Sequence, residues 1–286
     1  MAITINGKEF ADMEEFSRRG RGCATKIPTP VDMFRVDEEL LSNRQRRVSF
    51  DTLHIEIRFI HLTYGSQGLI SLEQRERQVE LLNDAFSGSN LVFGYNEELT
   101  RSVDNHDWYR MGHGSFAERE AKSALSSDPT KYLNFYTAGL QNGLLGWATF
   151  PFDLAGDPVR DGVVVLDESL PGGNAAPFNL GMTAVHEVGH WLGLYHTFQD
   201  GCSGFGDHVE DTPAHSGPNY GKPADGQPHN ACNAGEFAPI HNYMNYVDDE
   251  WMNELTDKQE NRVKEQIMMY RTGLLNNDKS CHLEAL

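Results

Sequence analysis

Hydrophobic and polar positions along the chain follow two periods. Residues 53–63 alternate and are rich in Ile and Phe, which predicts a β-strand. Over residues 72–86, apolar side chains recur at helical spacing among charged ones, so a helix is expected there. Further strands are predicted over residues 131–137, 144–150 and 162–166, and a closing helix over residues 257–270. A strand, a helix and then several strands indicate a mixed sheet with helices packed on it.

One long stretch shows neither period. From residue 199 to residue 240 the composition shifts to Gly, Pro, Asp, Asn and His, with little apolar periodicity. Such a stretch inside a folded chain predicts a long, irregular loop region that is tied down from outside.

Composition narrows the class of protein. The chain has 286 residues, 39% of them hydrophobic and 23% charged, which suits one large globular domain or two small ones. The formal net charge of −18 argues against nucleic acid or an anionic membrane as a partner. No stretch approaches the roughly 20 apolar residues of a membrane span, and residues 1–16 lack the apolar run of a signal peptide. Nothing in the sequence suggests more than a monomer.

The charge is unevenly distributed. The first 47 residues hold nine basic and eight acidic side chains, so the acidic excess belongs to the rest of the chain. Arg44, Gln45, Arg46 and Arg47 form a basic junction between the two parts. We therefore expect a separate leader over residues 1–47, followed by a main domain over residues 48–286. The alternative is an N-terminal helix and loop that packs permanently on the domain, with its arginines on a solvated face.

The most informative pattern lies in residues 183–198. His186 and His190 are four residues apart, about 400° along an α-helix, so they project from one face and can share a metal ion. Glu187 is rotated by about 100° from His186 and cannot be an equal ligand. It can instead stand beside a water molecule at the metal and take its proton, which makes it the candidate general base.

A third histidine completes this pattern. Gly193 is free to adopt positive φ, which lets the helix end and allows His196 to approach as the third ligand. Three imidazoles leave the fourth position of a zinc ion open, as in catalytic rather than structural zinc sites. The spacing H-E-x-x-H-x-x-G-x-x-H followed by a Met-turn is the metzincin signature, so we expect one catalytic Zn²⁺.

The Met-turn has a candidate in residues 242–246. Met244 is flanked by aromatic residues, and its thioether can form an apolar floor under the three imidazoles. Tyr246 can then reach the substrate carbonyl, or the oxyanion derived from it, with its hydroxyl.

These motifs resemble the pappalysin metzincins, especially the small ulilysin-like and fungal extracellular metalloproteases. The matching segments are residues 144–151, 161–164, 171–173, 179–198, 201–213 and 239–244. The resemblance implies an α+β fold of the metzincin type, with a twisted mixed sheet and the active-site helix in an upper subdomain (about residues 48–196). A small irregular lower subdomain would follow (about residues 197–286). The strand near Leu144 and Gly146 would be the edge that pairs with an extended substrate backbone.

The resemblance also implies one disulfide bond and a calcium site. Cys202 and Cys232 match one family bridge, whereas Trp251 stands where the family commonly has another cysteine. In an oxidising compartment, such a bridge stabilises the fold by roughly 3–4 kcal/mol. Ulilysin-like enzymes bind calcium near a loop that here carries four hard oxygen ligands, Asp207, Glu210, Asp211 and Thr212. A solvated acidic loop is the alternative for these residues.

Cys23 lies in a stretch similar to the family motif Arg-x-Cys-Gly-Thr, with Ala24 in place of Gly. A thiolate is a better zinc ligand than water, so Cys23 can occupy the fourth position and keep the enzyme latent. Cleavage near residues 44–47 would release it. The alternatives are a bridge between Cys23 and Cys281, or two free thiols.

The sequence therefore predicts a zinc-dependent endopeptidase that acts on protein or peptide substrates and is made as a latent zymogen. The acidic run Asp248, Asp249 and Glu250 suggests a primed-side pocket for Lys or Arg, in line with ulilysin-like enzymes. Two rival functions are a binding module that keeps zinc without turnover and a zinc amidase or deacetylase. The resemblance implies secretion, but without a visible signal peptide an intracellular location stays open.

Overall fold

The chain folds around one mixed β-sheet. The computed structural model describes residues 3–5, 8–11, 22–44, 50–141 and 143–275. The strands of the main sheet are β3 (Gly22–Cys23), β4 (Leu53–Thr63), β5 (Leu91–Tyr95), β6 (Arg101–Asp104), β7 (Tyr132–Ala138), β8 (Leu144–Ala148) and β9 (Val163–Leu166). A separate antiparallel hairpin pairs β1 (Ile3–Ile5) with β2 (Lys8–Phe10).

In this topology β3 and β8 run opposite to the other strands of the sheet. Neighbouring strands follow the order β3-β8-β9-β7-β4-β5, and β6 pairs with the end of β4. β8 is antiparallel to β9, whereas the other pairs in this sheet are parallel. An antiparallel strand near the edge of an otherwise parallel sheet is common in folds of this class. The outer edge of β8 is covered by β3, which comes from the N-terminal leader.

Seven α-helices surround the sheet in the described ranges. They are α1 (Pro30–Arg44), α2 (Leu72–Ala85), α3 (His106–Tyr109), α4 (Phe116–Leu125), α5 (Met182–Trp191), α6 (Asp257–Tyr270) and α7 (Thr272–Leu275). Short 3₁₀ turns lie at Ser87–Ser89, Glu97–Leu99, Pro151–Asp153, Pro158–Arg160, Asp167–Ser169 and Asp249–Trp251. Both α2 and α6 begin with a capping box, formed by Ser71 with Gln74 and by Thr256 with Gln259.

The two faces of the sheet bury separate cores. Ile57 and Phe59 of β4 point to the face where Val188 of α5 packs. Leu62, on the opposite face, packs in a second cluster with Trp147 of β8. Because strand side chains alternate between faces, one strand supplies both cores. Helix α5 is thereby held against β8 and β9, below the edge strand.

Most of the predicted elements are confirmed. The strand over residues 53–63 and the helix over residues 257–270 have the predicted bounds, and the other predicted elements shift by two residues or fewer at each end. The histidine spacing, rather than the hydrophobic pattern, indicated α5. The elements that neither signal predicted are β1, β2, β3, β5, β6, α1, α3, α4 and α7. In residues 197–256 the regular structure is one 3₁₀ turn and isolated bridges, as expected for an irregular lower part. The mixed-sheet fold class is therefore confirmed.

The leader packs on the rest of the chain. Helix α1 lies against α6, and Tyr270 of α6 donates a hydrogen bond to Glu39 of α1. The predicted boundary at residue 47 falls in residues 45–49, outside the described residues. Within the described part of the chain, no helix combines the length and apolar character needed to cross a membrane.

Candidate metal centre

Helix α5 carries the first two predicted ligands and the predicted base. Its N-cap is Gly181, which is in the left-handed region (φ 89°) and has no side chain to cap the helix. Asp249 replaces that cap from a distant segment, because its Oδ2 accepts hydrogen bonds from the backbone N–H of Leu180 (2.9 Å) and Met182 (3.3 Å). The start of the helix is thus fixed by the segment that follows the Met-turn.

The end of α5 turns the chain toward the third ligand. Gly193 has φ +95°, and a Cβ at this position would lie 2.4 Å from the side chain of Gln266. Only glycine fits both the conformation and the space. Leu194 N–H donates to the Gly189 carbonyl at 2.9 Å, which closes the helix end. The predicted role of Gly193 as the residue at the turn agrees with this geometry.

Four side chains converge at one point. The ligand atoms of Cys23, His186, His190 and His196 all lie within 4.8 Å of one another, and no other such group of His, Cys, Asp or Glu occurs among the described residues. The Nε2 atoms of His190 and His196 are 3.1 Å apart. The structure therefore brings together the three predicted histidines and the predicted cysteine.

The hydrogen bonds of two imidazoles fix their tautomers. His186 Nδ1 lies 2.7 Å from the carbonyl oxygen of Tyr243, and His190 Nδ1 lies 2.7 Å from that of Leu194. A carbonyl oxygen only accepts, so each Nδ1 carries a proton. Burial lowers the pKa of His190 to about 4 and that of His196 well below its usual value, with the neighbouring His190 adding to the effect on His196. Neutral imidazoles whose other nitrogen is held by a carbonyl are the form that binds zinc, so this donor set fits the ion.

The predicted base lies beside this group and contacts the leader. The hydroxyl of Thr25 donates to Glu187 Oε2 at 2.9 Å, and Cys23 Sγ donates to the same oxygen at 3.6 Å. Burial, followed by the charge of Glu187, raises the pKa of Cys23 well above its usual value. A Cβ on Gly146 would lie 2.8 Å from Cγ of Glu187. Glycine at this position of β8 therefore makes room for the base.

The predicted substrate edge is covered by the leader. Gly22 pairs with Leu144 and Cys23 pairs with Gly146, in parallel register. The backbone N–H of Ala148, further along β8, donates to Thr25 Oγ1 at 2.8 Å. Extended backbone thus does pair with this edge, and the segment that does so belongs to the same chain.

The Met-turn lies under the imidazoles. Met244 is fully buried, and its backbone oxygen accepts from Thr197 N–H at 3.2 Å. Its Sδ would be 2.4 Å from a Cβ on Gly189, so the helix can approach the thioether only because residue 189 is glycine. Sequence reasoning missed Gly189, although it lies inside the histidine motif. Tyr246 Oη lies 3.2 Å from His196 Nε2, which places the phenol at the centre.

The three predicted specificity residues have different surroundings. Asp249 is buried as the distant cap of α5, and Asp248 is also buried. Glu250 is exposed and forms an ion pair with Lys222 at 2.5 Å. The structure therefore leaves Glu250 as the accessible carboxylate of this run.

The predicted calcium ligands take part in two separate sets of contacts. Asp207 is buried; its Oδ1 accepts from Thr212 Oγ1 at 2.5 Å, whereas its Oδ2 has no hydrogen-bond partner in the described part of the chain. Burial raises the pKa of Asp207 to about 7. Asp211 instead accepts from Thr256 Oγ1 (2.6 Å) and Lys258 N–H (3.0 Å), at the start of α6. Glu210 forms an ion pair with Lys258.

The predicted disulfide bond is confirmed. Cys202 and Cys232 are bonded across 30 residues, with their Cα atoms 5.5 Å apart. The bond ties the irregular region together, where regular hydrogen bonding is sparse. Cys23 is free, and Cys281 lies outside the described residues.

Comparison with known proteins agrees with this geometry. The Peptidase_M43 family, described as Pregnancy-associated plasma protein-A, matches residues 119–268. Extracellular metalloprotease 1 of Coccidioides posadasii is 35% identical over 263 residues, which cover 89% of this chain and 92% of the relative. An extracellular metalloprotease of Verticillium alfalfae is 38% identical over 264 residues, covering 87% and 90%.

Solved structures share the fold. A promirolysin mutant from Tannerella forsythia aligns with a TM-score of 0.75 at 23% identity, covering 89% of this chain and 97% of that chain. Mature mirolysin in complex with a cleaved peptide aligns with a TM-score of 0.70 at 24% identity, covering 80% and 100%. The family match and the relatives together establish that the chain is a metalloprotease of the Peptidase_M43 family.

Proposed function

We propose that the chain is a zinc-dependent endopeptidase in which His186, His190 and His196 hold the metal. The observation that carries this proposal is the convergence of three imidazoles in one buried cluster. Zinc bound there supplies a Lewis acid that polarises the scissile carbonyl and lowers the pKa of water. That the chain is a metalloprotease rests on its family and its relatives.

Glu187 is the proposed general base. Its carboxylate lies at the metal cluster, where it can take a proton from the attacking water and give it to the leaving amine. The buried site keeps this group out of bulk water, which strengthens its interaction with a reacting proton. Gly146 leaves the space that the side chain needs.

Tyr246 is the proposed second catalytic group. Its phenol lies at the edge of the cluster, within 3.2 Å of His196 Nε2, and can donate a hydrogen bond to an oxyanion that develops beside it. Met244 and Gly189 hold the floor beneath the imidazoles by close packing.

We also propose that the chain is a latent zymogen. The leader strand β3 covers the edge of β8, and Cys23 and Thr25 contact Glu187, so a substrate cannot use the same groups. Promirolysin covers more of this chain than mature mirolysin does, 89% against 80%, as a fold that includes a leader would. Cys23 as a ligand in the latent form agrees with its place in the cluster.

Three finer features belong to the same proposal. The acidic run Asp248, Asp249 and Glu250 favours Lys or Arg on the primed side, with Glu250 as the carboxylate that a substrate can reach and the buried Asp248 and Asp249 behind it. The orphaned Oδ2 of Asp207 is a hard oxygen that suits Ca²⁺, so a structural calcium is proposed there. Secretion is proposed because the relatives are named extracellular metalloproteases.

An activation time course tests the function. The full-length chain and the Glu187→Ala variant are followed by intact mass, and cleavage is mapped on a mixed peptide library. We expect the wild type to gain activity when it loses residues 1–47, with cuts before Lys or Arg, and a chelator to abolish the activity reversibly. A trimmed wild type that has been separated from residues 1–47 and still cuts no peptide would contradict the proposed function.

A further inference from the structure

The leader is attached to the body of the protein at a second place, away from the cleft. Met33 of α1 packs against Phe150 and Tyr195, with Phe152 beside them. Val36 and Leu40, one and two turns further along the helix, are also buried. We call the surface formed by Phe150, Phe152, Tyr195, His208, Arg262 and Tyr270 the helix-docking face.

Charged groups fix α1 on this face. The Asp37 carboxylate accepts from Arg262 Nη1 at 3.1 Å and from His208 Nδ1. Glu39 accepts from the hydroxyl of Tyr270. Each of these acidic groups of the leader therefore meets a donor of the body, which gives the face a preference for a helix with acidic residues on its buried side.

Arg262 connects this contact to the body of the enzyme. Its guanidinium lies 4.9 Å from the ring centroid of Tyr195, and its Nε donates to the Gly193 carbonyl at 3.4 Å. The side chain is held from several sides, so the donor that meets Asp37 is pre-oriented. A pre-organised donor loses little entropy when the carboxylate binds.

Two groups of contacts from residues 22–44 tie the leader to the body. The cleft contacts come from Gly22 to Thr25, and the helix-docking contacts come from Met33 to Leu40. A cut at residues 44–47 breaks the covalent link but removes none of these contacts. Before the cut, the short linker holds the segment at an effective concentration in the millimolar range, and the cut removes only this effect.

We infer that residues 22–44 are a self-contained inhibitor that stays bound after the chain is cut, and that the helix-docking face binds this acidic amphipathic helix in trans. Activation then has two steps, cleavage and release. The inference rests on the proposed zymogen, but it concerns the binding of the segment and can be measured without turnover.

The experiment uses the full-length chain cut at residues 44–47 without denaturant. Activity per molecule is followed while the cut chain is diluted from micromolar to nanomolar concentration. We expect activity to rise with dilution and to fall again when a synthetic peptide of residues 22–44 is added. Binding of the labelled peptide to the released body is measured in parallel by fluorescence anisotropy.

Two peptide variants separate docking from general charge. Asp37→Asn removes the carboxylate that meets Arg262 and His208, whereas Glu38→Gln makes the same change at the exposed neighbouring position. We expect Asp37→Asn to weaken binding about tenfold or more and Glu38→Gln to leave it unchanged. Equal weakening by both variants would overturn the role of the face.

Two further outcomes separate a failure of the docking inference from a failure of the proposed function. A cut chain that is fully active at micromolar concentration, with a peptide that does not bind, would overturn the inference while leaving the peptidase intact. A peptide that binds as expected to a body that cuts nothing would support the docking face and contradict the proposed function. The anisotropy measurement thus distinguishes the two failures.

Discussion

Thr25 Oγ1 lies 2.9 Å from Glu187 Oε2, although the two residues are 162 positions apart in the sequence. The same hydroxyl accepts from the N–H of Ala148 at 2.8 Å. The Thr25 hydroxyl is therefore hydrogen-bonded both to the proposed base, Glu187, and to the N–H of Ala148, an edge donor that an extended substrate would meet. The proposed latency would therefore not depend on Cys23 alone.

Replacing this hydroxyl tests that arrangement. Thr25→Val keeps the shape of the side chain but cannot donate to Glu187, and a hydrogen bond to a charged group contributes about 1.5–3 kcal/mol. We expect the full-length variant to show background peptidase activity about tenfold above that of the uncut wild type. Thr25→Ser, which keeps the hydroxyl, serves as the control and should stay latent. Equal background activity of both variants would rule out a role for the hydroxyl.

The close packing of Gly189 on Met244, beneath the metal centre, gives a prediction for stability. A Cβ on Gly189 would lie 2.4 Å from Met244 Sδ in a fully buried site, and forcing in an extra methyl group costs about 1–3 kcal/mol. We expect Gly189→Ala to lower the melting temperature and to reduce the zinc content at limiting metal. Calorimetry and metal analysis measure both effects.

A second substitution shows whether the clash is the cause. Met244→Ala removes the group that the new methyl would meet, so the double variant should lose less stability than the two single variants predict by addition. Strict additivity would mean that Gly189 is required for another reason.

A buried ion pair next to the end of α5 gives a prediction for stability. Arg271 and Asp161 form a fully buried ion pair at 2.8 Å, and Trp191 at the end of α5 donates to Asp161 Oδ2 at 2.9 Å. The Arg271 guanidinium also lies 3.8 Å from the Trp191 ring centroid. Removing one partner leaves a buried charge uncompensated, so Arg271→Met should lower the free energy of unfolding by about 3–5 kcal/mol.

An exposed pair provides the comparison. Arg77 and Glu80 also form an ion pair at 2.7 Å, but both side chains face solvent. Arg77→Met should change the free energy of unfolding by less than about 1 kcal/mol. Chemical denaturation of both variants checks the contrast; similar losses would contradict the account of the buried pair.

The Asp37 contact predicts a pH dependence for docking. Burial opposes ionisation of Asp37, but the hydrogen bond from His208 and the charge of Arg262 outweigh it, so the pKa falls below its usual value of 3.8. A lowered pKa in the docked state means that the contribution is present above the usual pKa and is lost as pH falls through the docked value. Release of residues 22–44 from the cut chain should therefore speed up below about pH 4.

Size-exclusion chromatography of the cut chain at several pH values measures this release. Circular dichroism at each pH confirms that the body stays folded. The Asp37→Asn variant should show a clearly smaller change in release rate over this range. A variant that keeps the full pH dependence would place the titrating group elsewhere.

Much of the fold could be predicted from local patterns in the sequence. The strand over residues 53–63 was predicted because it is long and alternates, and in the sheet it supplies both cores. β6 (Arg101–Asp104) was missed because its side chains are polar and largely exposed, so nothing in the pattern marks it. Helix α4 was missed because its buried side chains are the small Ala121 and the charged Glu118 and Lys122. No hydrophobic pattern therefore marks its inward face.

The site was predictable where its residues are close in sequence. The spacing of His186, His190 and His196 places them together because a helix and a glycine turn fix the geometry. The roles of Thr25 and Asp249 were not predictable, because both act across long sequence separations that only the folded sheet and loops bring together. The sequence marks Asp249 as part of an acidic run, but nothing local in the sequence indicates its hydrogen bonds to the start of α5.

The central claim is that three histidines hold one catalytic zinc ion beside Glu187. Zinc content and peptide cleavage should be measured together on the wild type, Glu187→Gln and His190→Ala after removal of residues 1–47. We predict about one zinc ion in the wild type and in Glu187→Gln, with cleavage reduced about 100-fold or more in the latter, and loss of both zinc and cleavage in His190→Ala. A His190→Ala variant that keeps zinc and cleaves peptides, or a Glu187→Gln variant with full activity, would contradict it.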